Sequence, residues 1–243
     1  MNLSRQNPLI KQIRSLSDKK NRDELGLYIA EGVKLVNEAI DSSQNVQLII
    51  GVSKALSQIK EHNFRVEEVS EEVFSAISTE KNPQGVLALI HKPSQAFALP
   101  KASCVLLDGV SDPTNVGAII RTAAAAGFNQ VYLTLDSADC FNSKAVRASM
   151  SGIYKVQTHL IERNEVAEKI KLPIIVADME GENVFDFSPK QDFCLVIGNE
   201  GKGVSKTLMD LASHTVNIPM QNQMESLNAS VSAGILMYLL KNK

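Results

Sequence analysis

The sequence predicts an α/β protein, and three observations lead to that class. Short apolar runs alternate with amphipathic helical segments along the chain. In the second half these runs are continuously hydrophobic, as expected for strands of a mainly parallel sheet covered on both faces. The composition is that of a folded protein, with 44% hydrophobic and 21% charged residues in 243 residues.

The first part of the chain predicts a small α/β domain. Residues 7–22 have apolar residues at near-helical spacing and predict one amphipathic helix. Strands and helices are then expected to alternate, with strands at 27–30, 46–50 and 86–90 and helices at 31–42 and 70–78. Residues 91–103 hold two prolines and little periodicity, so a linker is expected there. The predicted organisation is a first domain at 1–95, a linker at 96–103 and a second domain at 104–243.

The second part predicts the larger sheet. Its strands are expected at 104–108, 130–134, 172–178, 193–198 and 215–219. Its helices are expected at 116–127, about 143–151, 163–171, 205–212 and 228–241. The last helix is apolar almost all round, which predicts burial in the core or against a partner subunit. Because soluble oligomers are most often twofold dimers, a homodimer is expected.

Several classes of protein are disfavoured by residue usage. Cys104, Cys140 and Cys194 are widely spaced, so core packing is expected rather than disulfides or a zinc site. The four histidines form no ligand-like pair, and no metal is expected. No apolar run is long enough to span a bilayer, and no signal peptide opens the sequence, so a cytoplasmic location is expected.

The charge distribution is uneven although the net charge is only −2. Residues 1–22 hold six basic residues and one acidic residue, whereas the remainder holds 19 basic and 26 acidic residues. A basic end on an acidic body is typical of a surface that binds phosphates, and a solvated helix face explains it equally well.

Two polar loops follow predicted strands at the ends where open α/β sheets bind ligands. The loop 109–115 leads into a helix of small residues with one charge, Arg121. Asn115 could serve as the N-cap of that helix, and a surface or ion-paired side chain is the plain alternative for Arg121. The loop GNEGKGVS, from Gly198, has its glycines in neither the Walker A nor the dinucleotide-binding spacing.

A third polar loop, 219–228, follows the last predicted strand and enters the apolar final helix. A helix cap formed by Ser226 or Asn228 is the structural alternative for this loop. A helix cap needs only one such residue, so capping does not explain why the whole loop is polar.

Together, the three loops resemble the three motifs of the SpoU (TrmH-like) branch of the SPOUT RNA methyltransferases. The motifs are Asn-x-Gly-x-x-x-Arg-Thr at 115–122, Gly-x-Glu-Gly-x-Gly at 198–203, and Ile-Pro-Met followed by Glu-Ser-Leu-Asn within 218–228. The resemblance covers about 103–243. YIAEGVKLVNEA and NPQGVLALI also resemble this family's substrate-binding domain, which has a ribosomal-protein fold. Two positions depart from the family pattern: Asn222 replaces a commoner glycine, and Ala229 replaces a commoner valine.

The resemblance implies a catalytic α/β domain with a deep trefoil knot, an exception to the rule against threaded chains. It implies that the second and third motif loops form a pocket for S-adenosylmethionine, near the interface of a homodimer. The residues implied to bind this cofactor are Gly198, Gly201, Ile218, Met220 and Leu227.

The implied reaction is methyl transfer to a ribose 2′-hydroxyl of structured RNA. Arg121 would be the central catalytic residue, either as the base that accepts the hydroxyl proton or as a fixed cation that stabilises the developing alkoxide and holds phosphate. The residues expected to orient Arg121 and the ribose are Asn115, Glu200, Ser226 and Asn228. Those expected to contact RNA phosphates are Lys11, Arg14, Lys19, Arg22 and Arg147, although a plain surface cation explains Arg147 equally well.

The substrate is less defined than the chemistry. The additional N-terminal domain favours a large folded RNA, with 23S rRNA preferred. Two alternatives remain: a tRNA 2′-O-methyltransferase, and a ribosome-assembly factor that binds RNA without catalysis. The second is disfavoured because Asn115, Arg121, Glu200 and Asn228 are all present.

Overall fold

The computed structural model describes residues 3–93, 96–222 and 226–241, and within these ranges the strands form two sheets. The smaller sheet has the order β1-β4-β2-β3 and is mixed: β4 runs antiparallel to both of its neighbours, whereas β2 and β3 are parallel. Its strands are β1 (Leu27–Glu31), β2 (Val46–Gly51), β3 (Val66–Glu68) and β4 (Val86–His91). Its helices are α1 (Pro8–Ser15), α2 (Lys19–Leu25), α3 (Val33–Asp41), α4 (Ser53–Leu56) and α5 (Glu71–Ser75).

The larger sheet is parallel throughout and has the order β10-β8-β9-β5-β6-β7. Its strands are β5 (Cys104–Asp108), β6 (Gln130–Thr134), β7 (Gln157–Ile161), β8 (Ile174–Asn183), β9 (Cys194–Gly198) and β10 (His214–Asn217). Its helices are α6 (Pro113–Ala125), α7 (Ser143–Ser149), α8 (Gly152–Lys155), α9 (Val166–Lys169), α10 (Lys206–Met209) and α11 (Ala229–Lys241), with a 3-10 turn at Arg163–Glu165. The predicted α/β class and parallel sheet are therefore confirmed.

Two strands were missing from the sequence-based prediction, and both lie at sheet edges. β3 is only three residues long and is partly or fully exposed. β7 mixes exposed, half-buried and buried positions, so it lacks the continuous apolar run that identified the inner strands. The predicted helix 163–171 is instead the 3-10 turn followed by the single turn of α9.

The predicted helix 7–22 is in fact two helices, α1 and α2. Asp18 begins α2 by accepting a hydrogen bond from the Lys20 amide at 2.9 Å. A capping carboxylate favours a new helix start over continuation of the first, and the chain turns at Ser17. The apolar side chains that suggested one helix still share a buried cluster, formed in part by Ile10, Ile13 and Leu16.

Arg22 is buried rather than available to a phosphate, so its predicted role in RNA binding is wrong. Its side chain is 4% exposed and forms an ion pair with Asp139 at 2.7 Å. The same guanidinium donates to the carbonyl oxygens of Leu16 and Ser17. It therefore holds the bend between α1 and α2 against the loop that follows β6.

The two sheets share one hydrophobic cluster. The ring of Tyr28 in β1 lies 4.9 Å from that of Phe141, and the Tyr154 hydroxyl donates to the Leu35 carbonyl in α3. Lys92 adds a second polar contact at this interface, with its Nζ 4.9 Å from the Phe141 ring centre. Such buried packing fixes the first part of the chain on the second.

Three further expectations from the sequence concern the cysteines, the last helix and membrane-spanning segments. Cys104, Cys140 and Cys194 are free and buried, as core packing requires. α11 buries one face through Ala233, Leu236, Met237 and Leu240, while Val231 and Tyr238 are about half exposed. No helix within the described ranges has the length and apolar character needed to cross a membrane.

Candidate functional site

The first motif forms the start of α6. Asp112, not Asn115, is the N-cap: its carboxylate accepts from the Thr114 amide at 2.7 Å, and Pro113 occupies the first helical position. Asn115 therefore lies in the first turn, where it is buried and its side-chain amide is available for other contacts.

Glu200 in the second motif accepts hydrogen bonds from the first motif. Its Oε1 accepts from the Asn115 side-chain amide at 2.8 Å, and its Oε2 accepts from the Ser111 amide and hydroxyl at 3.1 and 2.9 Å. Burial disfavours the charged carboxylate, but the hydrogen bonds from Asn115 and Ser111 outweigh it and lower the pKa of Glu200 to about 2. Glu200 is therefore an anion at every physiological pH.

Asn228 joins the third motif to the same cluster. Its side-chain amide donates to Asn115 Oδ1 at 3.0 Å, while its own Oδ1 accepts from Ser230 and Val231 and caps α11. The capping interpretation of Asn228 is thus correct, but it uses only half of the side chain. The other half completes a continuous set of hydrogen bonds from Glu200 through Asn115 to Asn228.

Arg121 lies six residues beyond Asn115, about 9 Å along α6. Its side chain is exposed and has no ion-pair partner within the described ranges. Its backbone packs closely: a Cβ at Gly152 would lie 2.9 Å from the Arg121 Cα, and one at Gly117 would lie 2.2 Å from the Ala145 carbonyl oxygen. Small residues around Arg121 therefore let α7 and α8 approach α6, and they leave the guanidinium as an uncompensated cation.

The second motif continues into the glycine loop, residues 199–205 between β9 and α10. Asn199 and Gly203 exchange two backbone hydrogen bonds of 3.0 Å, which fold the loop back on itself. A Cβ at Gly198 would lie 2.3 Å from the Gly203 carbonyl carbon, so only glycine permits this closure. The Asn199 side chain donates to the Gly109 carbonyl at 2.8 Å and accepts from the Gly201 amide at 3.0 Å.

The third motif supplies half-buried apolar side chains at the end of β10. Ile218 packs against the shared hydrophobic cluster, and Met220 and Leu227 are also half-buried. Asn222 has a φ of +55°, the left-handed conformation for which the family more often uses glycine. Ser226 is exposed, and Glu225 lies outside the described residues.

These residues fit an adenosine-containing cofactor. The strands β9 and β10 end at Gly198 and Asn217, where backbone groups leave the sheet ladder. The apolar residues Ile218 and Met220 follow the end of β10 in sequence, and the Asn217 Oδ1 is buried without a hydrogen-bond partner among the described residues. Backbone polar groups beside an apolar wall are the usual surroundings of a bound nucleoside. The described residues contain no cluster of His, Cys, Asp and Glu suited to a metal.

The other basic residues predicted to contact RNA differ in their exposure and ion pairing. Lys11, Arg14 and Lys19 are exposed on α1 and α2. Arg147, on α7, is about half exposed and forms an ion pair with Glu80 of the first part of the chain. Arg147 is therefore already partnered across the interface between the two sheets.

Three polar residues near the motifs were not selected from the sequence. Asp108 ends β5 directly beside Gly198 of β9 and is almost fully buried. Its position at a predicted strand end could have identified it. Asn199 occupies a variable position within the second motif, and Arg163 follows a strand that was itself not predicted, so no sequence signal pointed to either residue.

Comparison with known proteins finds a matching family or domain for each part of the chain. The SpoU rRNA Methylase family matches residues 102–238, and the MRM3-like substrate binding domain matches residues 7–88. A 23S rRNA (guanosine(2553)-2′-O)-methyltransferase of Bacillus subtilis, RlmP, is 31% identical over 98% of this chain and 98% of its own length.

Solved structures agree with the sequence matches. A TrmH-family RNA methyltransferase structure from Porphyromonas gingivalis superposes with a TM-score of 0.87 and 29% identity, covering 100% of both chains. An S-adenosylmethionine-bound rRNA methyltransferase from Sinorhizobium meliloti superposes with a TM-score of 0.85 and 29% identity, covering 97% of this chain and 95% of its own.

Proposed function

Because the chain belongs to the SpoU rRNA methylase family, we propose that it methylates a ribose 2′-hydroxyl of 23S rRNA with S-adenosylmethionine as the methyl donor. The observation that carries the proposal is the set of hydrogen bonds from Glu200 through Asn115 to Asn228. It links all three family motifs at the carboxyl end of a parallel sheet, where such folds bind their ligands.

The cofactor would bind against the ends of β9 and β10. Backbone groups at Gly198, Ile218 and Leu227 would hold its adenosine portion, with Gly201 and Met220 completing the wall. When bound, S-adenosylmethionine supplies a methyl group on a sulfonium, which is already a good leaving group. The protein must therefore position the ribose hydroxyl and favour its loss of a proton.

Arg121 would act on the RNA side of this site. Its exposed guanidinium, unpaired within the described ranges, can hold a phosphate through two parallel hydrogen bonds and stabilise negative charge that develops on the ribose oxygen. Glu200 and Asn228 are too firmly bonded to Asn115 to move freely, so they would fix the start of α6, on which Arg121 is carried. Ser226, exposed at the end of its loop, would contact the ribose.

The first part of the chain would select the RNA. We propose that residues 1–95 form the RNA-binding domain and that residues 96–103 link it to the catalytic domain at 104–243. The exposed cations Lys11, Arg14 and Lys19 would contact phosphates, which dominate binding of folded RNA. The packed interface between the two sheets supports a fixed distance between this surface and the catalytic site.

Two structural features belong to the same proposal. A homodimer through α11 is supported by the half-exposed apolar side chains of Val231 and Tyr238, and analytical ultracentrifugation tests it. A trefoil knot is supported by the return of α11 from the sheet edge at β10 to pack on α6 and β9. The path of the chain in an experimental structure tests the knot.

An rRNA substrate would also place the protein in the cytoplasm.

The proposed function is tested by mapping ribose methylation in rRNA and tRNA from cells with and without the gene. We expect one 2′-O-methyl nucleotide of 23S rRNA to be lost, and to return with the wild-type gene but not with Arg121→Ala. A lost mark in tRNA would keep the chemistry and change the substrate. Unchanged marks in both pools would contradict the proposal and favour a ribosome-assembly factor without catalysis.

A further inference from the structure

Asp108 connects the glycine loop to the loops after two other strands. It ends β5, the strand beside β9, and is 1% exposed. Its Oδ2 accepts a hydrogen bond from the Ser205 amide at 2.6 Å, at the far end of the glycine loop. Its Oδ1 accepts from Arg163 Nε at 2.5 Å. One buried carboxylate therefore bonds the loop after β9 and the turn after β7 at once.

Arg163 is itself held by a second carboxylate. Its Nη2 lies 2.7 Å from Asp136 Oδ2, and Asp136 accepts from the Thr134 hydroxyl at 2.8 Å. The Thr134 hydroxyl accepts in turn from the Gly109 amide. Arg163 thus bridges Asp108 and Asp136. Through Thr134, the hydrogen bonds then continue to Gly109, the residue after Asp108.

The glycine loop is anchored at two separate points. Glu200 holds its first half to Ser111 and Asn115, and Asn199 holds its base to Gly109. The second half, after Gly203, is held by the bond between Ser205 and Asp108. The family motifs account for the bonds of Glu200 to Asn115, and they leave the bond between Ser205 and Asp108 unassigned.

We propose that Asp108 is a positioning residue that fixes the second half of the glycine loop and thereby sets the affinity for the cofactor, with Arg163 holding its carboxylate in place. The effect on the cofactor rests on the proposed function, whereas the effect on the loop does not. A carboxylate can accept from Ser205 and Arg163 simultaneously. An asparagine has one acceptor oxygen and would point its NH₂ group at a donor. Asp108→Asn therefore loses one of the two bonds.

The test compares Asp108→Asn with Asp192→Asn. Asp192 lies before β9, at the other end of the same two strands, and its carboxylate likewise accepts from a backbone amide and a second donor, both of Ser103. We expect Asp108→Asn to raise the Kd for S-adenosylmethionine about 10-fold, because the loss of one hydrogen bond to the buried carboxylate releases the second half of the glycine loop. The KM for RNA is expected to remain unchanged, and Asp192→Asn to bind the cofactor as the wild type does.

Hydrogen exchange of the cofactor-free protein tests the loop separately. Asp108→Asn is expected to accelerate exchange within 203–206 and to leave the inner strands unchanged. Arg163→Lys, which keeps the charge but cannot reach both carboxylates, covers the case in which Asp108→Asn does not fold, and we expect a smaller change of the same kind. Wild-type exchange in the loop, or cofactor affinity equal to that of Asp192→Asn, would overturn the proposal. Wild-type protein that binds no S-adenosylmethionine would instead contradict the proposed function, and the exchange measurement would still decide the role of Asp108.

Discussion

Arg22 in the second helix and Asp139 in the loop after β6 form a buried ion pair at 2.7 Å, and this contact joins the N-terminal helices to the larger sheet. The two side chains are 4% and 10% exposed. Arg22 also satisfies the carbonyl oxygens at the bend between α1 and α2, so the pair fixes the bend and the interface together.

Removal of one partner of the Arg22–Asp139 ion pair is expected to destabilise the protein. Arg22→Ala should lower the free energy of unfolding by about 3–5 kcal/mol, because it leaves the buried Asp139 carboxylate without its charged partner. Urea unfolding followed by circular dichroism measures this effect. Arg14→Ala is the matched control on the exposed side of α1 and should change stability by less than about 0.5 kcal/mol. Equal stability of the two variants would show that the ion pair contributes nothing.

RNA binding should depend on the exposed cations of α1 and α2. Replacement of Lys11, Arg14 and Lys19 by glutamine is expected to reduce the slope of log K against log salt by about 2, since each phosphate contact contributes about 0.7–0.9. Filter binding over a salt series measures the slope. The control replaces Lys54, Lys60 and Lys171, which are also exposed. A slope that changes equally in both variants would exclude α1 and α2 as the docking surface.

Capping and site organisation can be separated at Asn228. Asn228→Asp keeps the oxygen that caps α11 but loses the amide that donates to Asn115. We expect the variant to lose about 1 kcal/mol of stability, because aspartate caps as well as asparagine but its second oxygen cannot donate to the buried Asn115 Oδ1. The rate of methyl transfer should fall by about 100-fold from the misplaced start of α6.

The comparison variant is Asn228→Ala, which loses the cap as well as the hydrogen bond to Asn115 and should lose about 2 kcal/mol of stability. Thermal unfolding and single-turnover methylation measure the two effects. Full activity of Asn228→Asp would mean that Asn228 is only a helix cap.

The low pKa of Glu200 predicts a pH-dependent contribution to stability. Because folding lowers its pKa from 4.5 to about 2, the bonds of the carboxylate stabilise the protein fully above pH 4.5. That stabilisation is lost as the pH falls from 4.5 through 2. The stability difference between wild type and Glu200→Gln should therefore be constant from pH 8 to about 5.5 and shrink toward pH 3. Urea unfolding across this range tests it, and a difference that stays constant down to pH 3 would contradict the assignment.

Close packing of α6 on α7 should make Gly117 intolerant of any side chain. A Cβ at this position would lie 2.2 Å from the Ala145 carbonyl oxygen, so Gly117→Ala is expected to cost about 1–3 kcal/mol. Gly234→Ala is the control in α11, where the nearest atom would be 3.5 Å away. That variant should gain about 0.5–1 kcal/mol from helix propensity. Denaturant midpoints decide the sign of each change.

The inner strands of the larger sheet could be predicted from the amino-acid sequence alone. Continuous apolar runs identified β5, β6 and β9, because strands covered on both faces have no polar positions. The three motifs also identified the chemistry, since their residue types and spacing were sufficient to resemble one family. The edge strands β3 and β7 were not predicted, because half-exposed strands mix polar and apolar residues.

The pairing of polar residues could not be predicted in this way, because it depends on how distant segments pack. Arg22 and Asp139 lie 117 residues apart, and Asp108 and Ser205 lie 97 apart, so no local pattern links them. Basic residues along α1 and α2 look equivalent in the sequence, yet packing buries Arg22 and leaves Lys11, Arg14 and Lys19 exposed. Local periodicity fixes the buried face of an element, whereas the partner of a polar side chain depends on which distant segment the fold brings against it.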